Sequence, residues 1–378
     1  METVRKHPAR IIPFDELWQS LQVAVTEGLV KEQTNNDGLY IFCYTEACAY
    51  ERKWTDVTKV ARGLILDSKS RQVVATPFPK FFNIGETSEP IPDLPFETFE
   101  KLDGSLIILF HHNGMWRCAS RASLSSDQSK WATDWISKFD LSVLQPGTTY
   151  LAEAVYPENR ILIHYDETGL MLLAAYEADG IEMPFDRLAL VSERLGWRTA
   201  KRHQYGSVKE LLAIAKKLPA SEEGFVLRFS DGQRLKIKGE EYIRIHRMVS
   251  RLTPLSMWEA MYAGEDLETI RRQLPEEFWT DFDDITSILN QQFHELIENI
   301  KAGAESVAGL TDKEVGMRLG EFSEEVKRFI FFYRKSNGDL LSDKRLRGSV
   351  FRTFRPDRNI LEGYIPSYTI NRLITEDA

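Results

Sequence analysis

Strand signals fill the first two thirds of this chain and stop at about Arg247, where helical spacing takes over. That break constrains the fold more than any other feature. It predicts a mixed α and β region followed by an all-helical one, with a domain boundary near residue 247 that separates residues 1–246 from 247–378. Upstream, short runs of aromatic, β-branched and other apolar residues read as strands. They are Leu39 to Tyr44, Val60 to Asp67, Gln72 to Thr76, Leu106 to Phe110, Met115 to Arg121, Thr149 to Tyr156, Ile161 to Tyr165, Leu170 to Tyr176, Glu223 to Phe229 and Arg234 to Lys238. Asn113-Gly114 and Asp231-Gly232 turn two hairpins. Helical spacing covers Phe14 to Thr34, closed by Asn35-Asn36-Asp37-Gly38, and also Asp127 to Phe139 and Val208 to Lys217. Downstream, Phe278, Phe282, Ile285, Leu289, Phe293, Leu296 and Ile300 recur at helical spacing over Glu276 to Ile300. Thr311 with Glu314 makes a capping box, Ser323 can cap a further helix, and Asn337-Gly338 ends it.

Composition narrows the class. No run is long and apolar enough to span a membrane, and no apolar stretch follows the charged Met1 to Arg10. Cys43, Cys48 and Cys118 form no metal-ligand spacing, so free thiols in a reducing, cytoplasmic compartment are expected. A net charge of −9 opposes nucleic-acid binding only weakly, because a local basic groove matters more than the total. The charge is unevenly spread. Lys344, Arg345, Arg347, Arg352, Arg355 and Arg358 face only Asp343 and Asp357 between Leu341 and Ile360.

Within the strand-rich region, charged residues border apolar strands at several places: Lys101, Asp103, Glu153, Glu223, Lys236 and Lys238. Singly, each reads equally well as a solvated strand residue. Lys236 and Lys238 lie two apart, so on a strand they share a face. Burying such a set is costly unless its members pair or meet a ligand, and lysines with carboxylates in one cleft suit a polyphosphate with a metal ion. Lys101 directly precedes an apolar strand. Held partly out of water among other cations, it is expected to have a lowered pKa and to act as a nucleophile.

The order Lys-x-Asp-Gly, Glu within a strand, Glu-Gly and Lys-x-Lys resembles the covalent nucleotidyltransferases, which comprise RNA ligases, DNA ligases and capping enzymes. The chain is more specifically similar to the RNA ligase 1 family, whose best-known members are phage tRNA-repair ligases. The resemblance is carried by Tyr40-Ile41-Phe42-Cys43-Tyr44, Ala61-Arg62-Gly63-Leu64-Ile65, Lys80-Phe81-Phe82-Asn83, Lys101-Leu102-Asp103-Gly104-Ser105, Glu153 with Asn159-Arg160-Ile161, Glu223-Gly224-Phe225-Val226 and Lys236-Ile237-Lys238. It implies an α+β fold whose N-terminal adenylyltransferase domain has antiparallel sheets flanked by helices. Lys101 would attack the α-phosphate of ATP and carry AMP, while Lys236 and Lys238 would hold the phosphates. Glu153 and Glu223 would hold a hydrated Mg²⁺, with Mn²⁺ as an alternative, and Glu153 would also face the ribose. Asp103 and Gly104 would belong to the ATP site. Tyr44, Arg62 and Lys80 would lie near the ATP phosphates and the RNA end, and Arg121 stands where the family often has lysine.

The implied activity joins a 5′-phosphate to a 3′-hydroxyl RNA end, with cleaved tRNA as one candidate substrate and a polynucleotide kinase/phosphatase as a candidate end-healing partner. The resemblance also makes the helical region an RNA-specificity module and puts Glu265 and Asp266 where the family has an acidic pair near a metal. Arg345, Arg347, Arg352 and Arg355, interleaved with Phe351 and Phe354, fit either RNA phosphates or ion pairs within the helical region. A DNA-joining or capping relative and a non-catalytic RNA-binding homologue are the alternatives. Helices in place of an OB barrel after residue 247 oppose the first, and an intact motif set opposes the second.

Overall fold

The computed structural model describes residues 6–357, 359–367 and 370. Arg358, counted in the basic stretch, lies outside them. The chain divides into two compact units, residues 1–244 and 245–377.

In the first unit, four strands run β1 (Val30–Thr34), β2 (Leu39–Tyr44), β3 (Arg62–Asp67) and β4 (Gln72–Ala75), in that order and antiparallel. Then follow β5 (Phe82–Asn83), β6 (Phe96–Glu100), β7 (Ser105–His112), β8 (Met115–Ser120), β9 (Thr149–Val155), β10 (Gly169–Tyr176), β11 (Arg198–Thr199), β12 (Arg202–His203), β13 (Gly224–Phe229) and β14 (Arg234–Lys238). They form a second sheet ordered β11-β10-β9-β7-β8 and a third ordered β12-β6-β13-β14-β5. Pairing is antiparallel except at two edges, where two-residue strands run parallel: β11 on β10, and β5 on β14. The second and third sheets are therefore mixed, and only the first is purely antiparallel.

The apolar character of β7 has a direct cause. Ile107 and Leu109 pack into a core shared with the helices Asp127–Ile136 and Phe185–Leu195, while Ile108 and Phe110 pack against Ile41 and Ile65 of the first sheet. Both faces are buried, so the strand lacks the alternation of a half-solvated one. The helix Val208–Ala215 covers the third sheet through Leu211, Ala215 and Phe225.

Two local expectations need correction. Helix Phe14–Thr26 ends before Val30, and Val30–Thr34 is a strand hydrogen-bonded to β2 across the Asn35–Gly38 turn. Residues 161–165 are not a strand, because the amides of Leu162 and Ile163 donate to the Asp103 carboxylate instead of a ladder. Residues 90–95 lead into β6, whose strand character shows only through its pairing with β13. A helix over Phe185–Leu195, bracketed by Pro184 and a left-handed Gly196, was open to detection from its Leu188, Ser192 and Leu195 spacing.

The described residues of the second unit contain no strand. Its long helix is Trp279–Ser306, packed through Leu296 and Ile300 on Phe329 and Val350. The Thr311–Glu314 capping box and the Ser323 cap are both formed.

Candidate active site

Lys101 to Gly104 link β6 of the third sheet to β7 of the second, so Lys101 sits where the chain changes sheets. The Lys101 amide donates to the Gly224 carbonyl at 2.9 Å. Across the same sheet Gly224 opposes Lys238. A Cβ on Gly224 would come within 2.0 Å of the Ile237 carbonyl, and its φ of 142° suits glycine alone. This close approach sets Glu223 between two lysines. Lys101 Nζ donates to Glu223 Oε2 at 2.7 Å, and Lys238 Nζ lies 3.0 Å from Oε1.

That pair reverses one expectation. Burial by itself pushes the Lys101 ammonium down, but the Glu223 and Glu153 carboxylates outweigh it and Lys101 lies above the ordinary lysine value. Burial would raise Glu223, and the charges of Lys101 and Lys238 bring it below the usual carboxylate range. The lowered lysine is Lys236. Burial first, then the charges of Lys80, Lys101, Lys238 and Arg62, bring it to about 7.

Around Lys236 the cations collect, with Glu86 near Lys80 and Lys236 and Glu153 near Arg62. Arg62 has a buried Nη1 with no partner, and its guanidinium lies 5.9 Å from the Phe81 ring centre, as does Lys236 Nζ. Lys80 Nζ sits among the rings of Tyr44, Trp54 and Phe82 at 5.7, 5.3 and 5.2 Å, and Arg121 lies over Tyr44 at 5.7 Å. Aromatic faces partly compensate such cations, but mutual repulsion remains, and a polyanion would relieve it. Phosphate binding should therefore raise Lys236 and take up a proton near pH 7.5. We expect calorimetric titration of ATP in buffers of different ionisation enthalpy to show net proton uptake that is lost in Lys236→Met.

Asp103, two residues from Lys101, is fixed by several donors. It is buried, accepts from the amides of Leu162 and Ile163 at 2.9 Å each, and accepts from Tyr242 Oη at 2.8 Å. Burial and the charge of Glu223 raise its pKa despite these three donors. Its own amide donates to Tyr165 Oη at 2.8 Å. The carboxylate thus holds the 162–163 loop beside Lys101. Gly104 donates its amide to Glu153 Oε1 at 3.1 Å, and a Cβ there would meet the Ala154 carbonyl at 2.5 Å. Ser105 Oγ and Asn159 Oδ1 are hydrogen-bonded at 2.9 Å. Tyr165, Tyr242 and Trp54 were not singled out from the sequence. Their contacts span long sequence separations, and no local pattern marks them.

Among the described residues no group of three or more His, Cys, Asp or Glu could hold a metal. Both Glu223 oxygens face lysines. The residues therefore fit a divalent ion held through water and substrate phosphates, and do not form a protein cage.

In the second unit, Asp266 caps the helix Leu267–Gln273, accepting from the Glu268 amide and from Thr269 Oγ1. Glu265 beside it is exposed. Arg347 is tied inward to the Tyr262 carbonyl at 2.7 Å, while Arg345, Arg352 and Arg355 are exposed and Arg355 lies over Trp258 at 5.4 Å. A 370 Å³ groove at Arg355 is lined also by Glu295, Glu325, Asp357 and Glu362, a charge balance that disfavours phosphate. In the first unit a 770 Å³ cavity shares Lys80, Phe81 and Phe82 with the cation cluster. Its Arg228 and Arg234 are already paired with Glu97 and Glu182, so its buried cations are not available to an anion.

Residues 60–242 match a protein family described as RNA ligase. Over these residues the chain is similar to RNA ligases. The matched region holds Arg62, Lys80, Lys101, Glu153, Glu223, Lys236, Lys238 and Tyr242, whereas Tyr44, Glu265, Asp266 and the arginines after residue 340 lie outside it. A protein of Autographa californica nuclear polyhedrosis virus, named as a bifunctional polynucleotide kinase/RNA ligase, is 27 % identical over 54 % of this chain and 33 % of its own length. The chain thus spans a third of that relative. An RNA ligase of Rhodothermus phage RM378 is 22 % identical over 88 % of this chain and 94 % of its own. A Naegleria gruberi RNA ligase mutant solved with ATP and Mn is similar over 40 % of this chain and 51 % of that one, with 17 % identity and a TM-score of 0.34. No helix among the described residues is long and apolar enough to cross a membrane.

Proposed function

We propose that this protein is an ATP-dependent RNA ligase that joins 5′-phosphate and 3′-hydroxyl RNA ends through a lysyl-AMP on Lys101 and an RNA-adenylate. The observation that carries the reading is Lys101 held 2.7 Å from Glu223 beside a cluster of cations whose mutual charge depresses Lys236. In the first step the Lys101 Nζ lone pair forms a P–N bond to the α-phosphate as the bond to pyrophosphate breaks. The ammonium must first lose a proton, and the Glu223 contact holds that proton in place. Drawing the Glu223 charge away lowers Lys101, whose proton passes to solvent and leaves the lone pair free. Lys236, Lys238, Lys80 and Arg62 orient the phosphates and balance charge on them. A bound Mg²⁺ or Mn²⁺, approached by Glu223 and Glu153 through its waters, would supply further charge neutralisation. In the second step an RNA 5′-phosphate oxygen displaces Lys101 from AMP. In the third a 3′-hydroxyl displaces AMP and closes the phosphodiester.

In this reading residues 1–246 are the adenylyltransferase and 247–378 an RNA-specificity module, acting in the cytoplasm. The absence of strands in the described part of the second unit supports RNA over the OB-barrel relatives. The kinase/RNA ligase name of the baculovirus relative supports an end-healing partner and a repair role, with cleaved tRNA as one substrate. The test offers 5′-phosphorylated single-stranded RNA and nicked duplex DNA with ATP and Mg²⁺. Circularised or joined RNA is expected, and chelation of the metal should stop it. Efficient sealing of the DNA nick with no RNA joined would refute the assignment.

A further inference from the structure

The turn between Cys48 and Trp54 takes no part in the site as described. Its Tyr50 is 92 % exposed, more than any other large hydrophobic side chain described. Two residues on, exposed Arg52 has φ of 54°, in the left-handed region that side chains rarely adopt. No carboxylate is placed against Arg52 among the described residues, and the neighbouring Glu51 pairs with Lys53 at 2.6 Å. The turn is nonetheless tightly pinned. The Lys53 amide donates to the Cys48 carbonyl at 3.0 Å, the Trp54 amide to the Arg52 carbonyl at 2.9 Å, and Thr58 Oγ1 to the Lys53 carbonyl at 3.1 Å. A rigid backbone thus leaves one aromatic and one cation in water.

The turn leads directly into the cation cluster. Trp54, two residues after Arg52, lies edge-on to Tyr44 at 5.0 Å and against Lys80 at 5.3 Å. An exposed ring next to a cation, continuous with a phosphate site, has the chemistry of a single-strand platform, where a base stacks and the backbone is paired. A protein interface would need a contiguous apolar patch, and here Tyr50 stands among Glu46, Glu51, Arg52 and Lys53.

We propose that this turn grips the single-stranded RNA carrying the 5′-phosphate, with Tyr50 stacking on a base and Arg52 pairing with a backbone phosphate. The proposal rests on the RNA ligase reading and assigns it a substrate lip. It is tested on the full chain with a fluorescent 5′-phosphorylated single-stranded RNA followed by anisotropy. Tyr50→Ala and Arg52→Gln together should weaken binding about tenfold or more. Tyr50→Trp should retain wild-type affinity. Arg52→Gln alone should make the slope of log affinity against log salt shallower by about 0.7. Because both side chains are exposed, the variants' thermal midpoints should match the wild type. Wild-type affinity in the double variant would overturn the proposal, and a loss confined to Arg52→Gln would overturn the stacking role. A wild-type protein that forms no lysyl-AMP would end the ligase reading, whereas RNA binding that depends on Tyr50 and Arg52 would survive that failure.

Discussion

Lys101→Ala is expected to abolish labelling of the protein by α-labelled ATP, a loss of roughly 10⁴-fold or more, because in the proposed mechanism its amine carries the AMP. The fold should survive the change. Without the Lys101 ammonium, Glu223 still faces Lys238 at 3.0 Å, so the buried carboxylate keeps one charge partner. Lys101→Arg makes a sharper test, because it preserves a cation beside Glu223 while removing the nucleophilic amine. The measurement is a denaturing gel after incubation with ATP and Mg²⁺. Label that persists in either variant would move the covalent step to another residue.

Glu223→Ala should have the larger effect on stability. It removes the carboxylate that faces both Lys101 and Lys238, whose side chains are only 22 % and 25 % exposed. Stripping the partner from buried charges costs about 3 kcal/mol, the lower end of the usual range because the lysines retain some solvent. Lys101 should then fall towards the behaviour of Lys236, since burial remains and its principal opposing charge is gone. The pH dependence has a definite sign. The folded pKa of Glu223 is depressed, so its contribution to stability is full above the unfolded carboxylate value of about 4.3 and fades as pH falls through the lower folded value. Wild type and variant should therefore differ most in urea melts near neutrality and converge in strong acid. A gap that persists undiminished at the acid end would show that the stabilisation is not that of the ionised pair.

Features decided within a few residues were legible in the sequence. The Thr311–Glu314 box, the Ser323 cap and the Asn113-Gly114 turn are chemistry between near neighbours, and each is present. Helical spacing located the long helix, although its end lies at Ser306 rather than near Ile300. Features that depend on a partner strand were not legible. Val30–Thr34 carries four exposed residues and reads as a continuation of the preceding helix until β2 lies beside it. The apolar run at 161–165 looks like a strand, yet Asp103, 59 residues away from Leu162, takes the amides that a ladder would use.

Lys101 shows where the two kinds of information divide. The sequence by itself determined the residue, its place before an apolar strand, and the order of the acidic and basic groups that follow. Only the tertiary structure decided its charge. The strand spacing put cations near one another, and by that reasoning Lys101 was the lysine to be depressed. In the folded chain, Glu223 is 122 residues away in sequence and 2.7 Å away in space. At that distance Glu223, joined by Glu153, outweighs burial, and the depression falls on Lys236 instead. Coulomb interactions at a buried site depend on separations of a few ångströms, and those are set by the close packing of Gly224 against Ile237 rather than by any spacing along the chain.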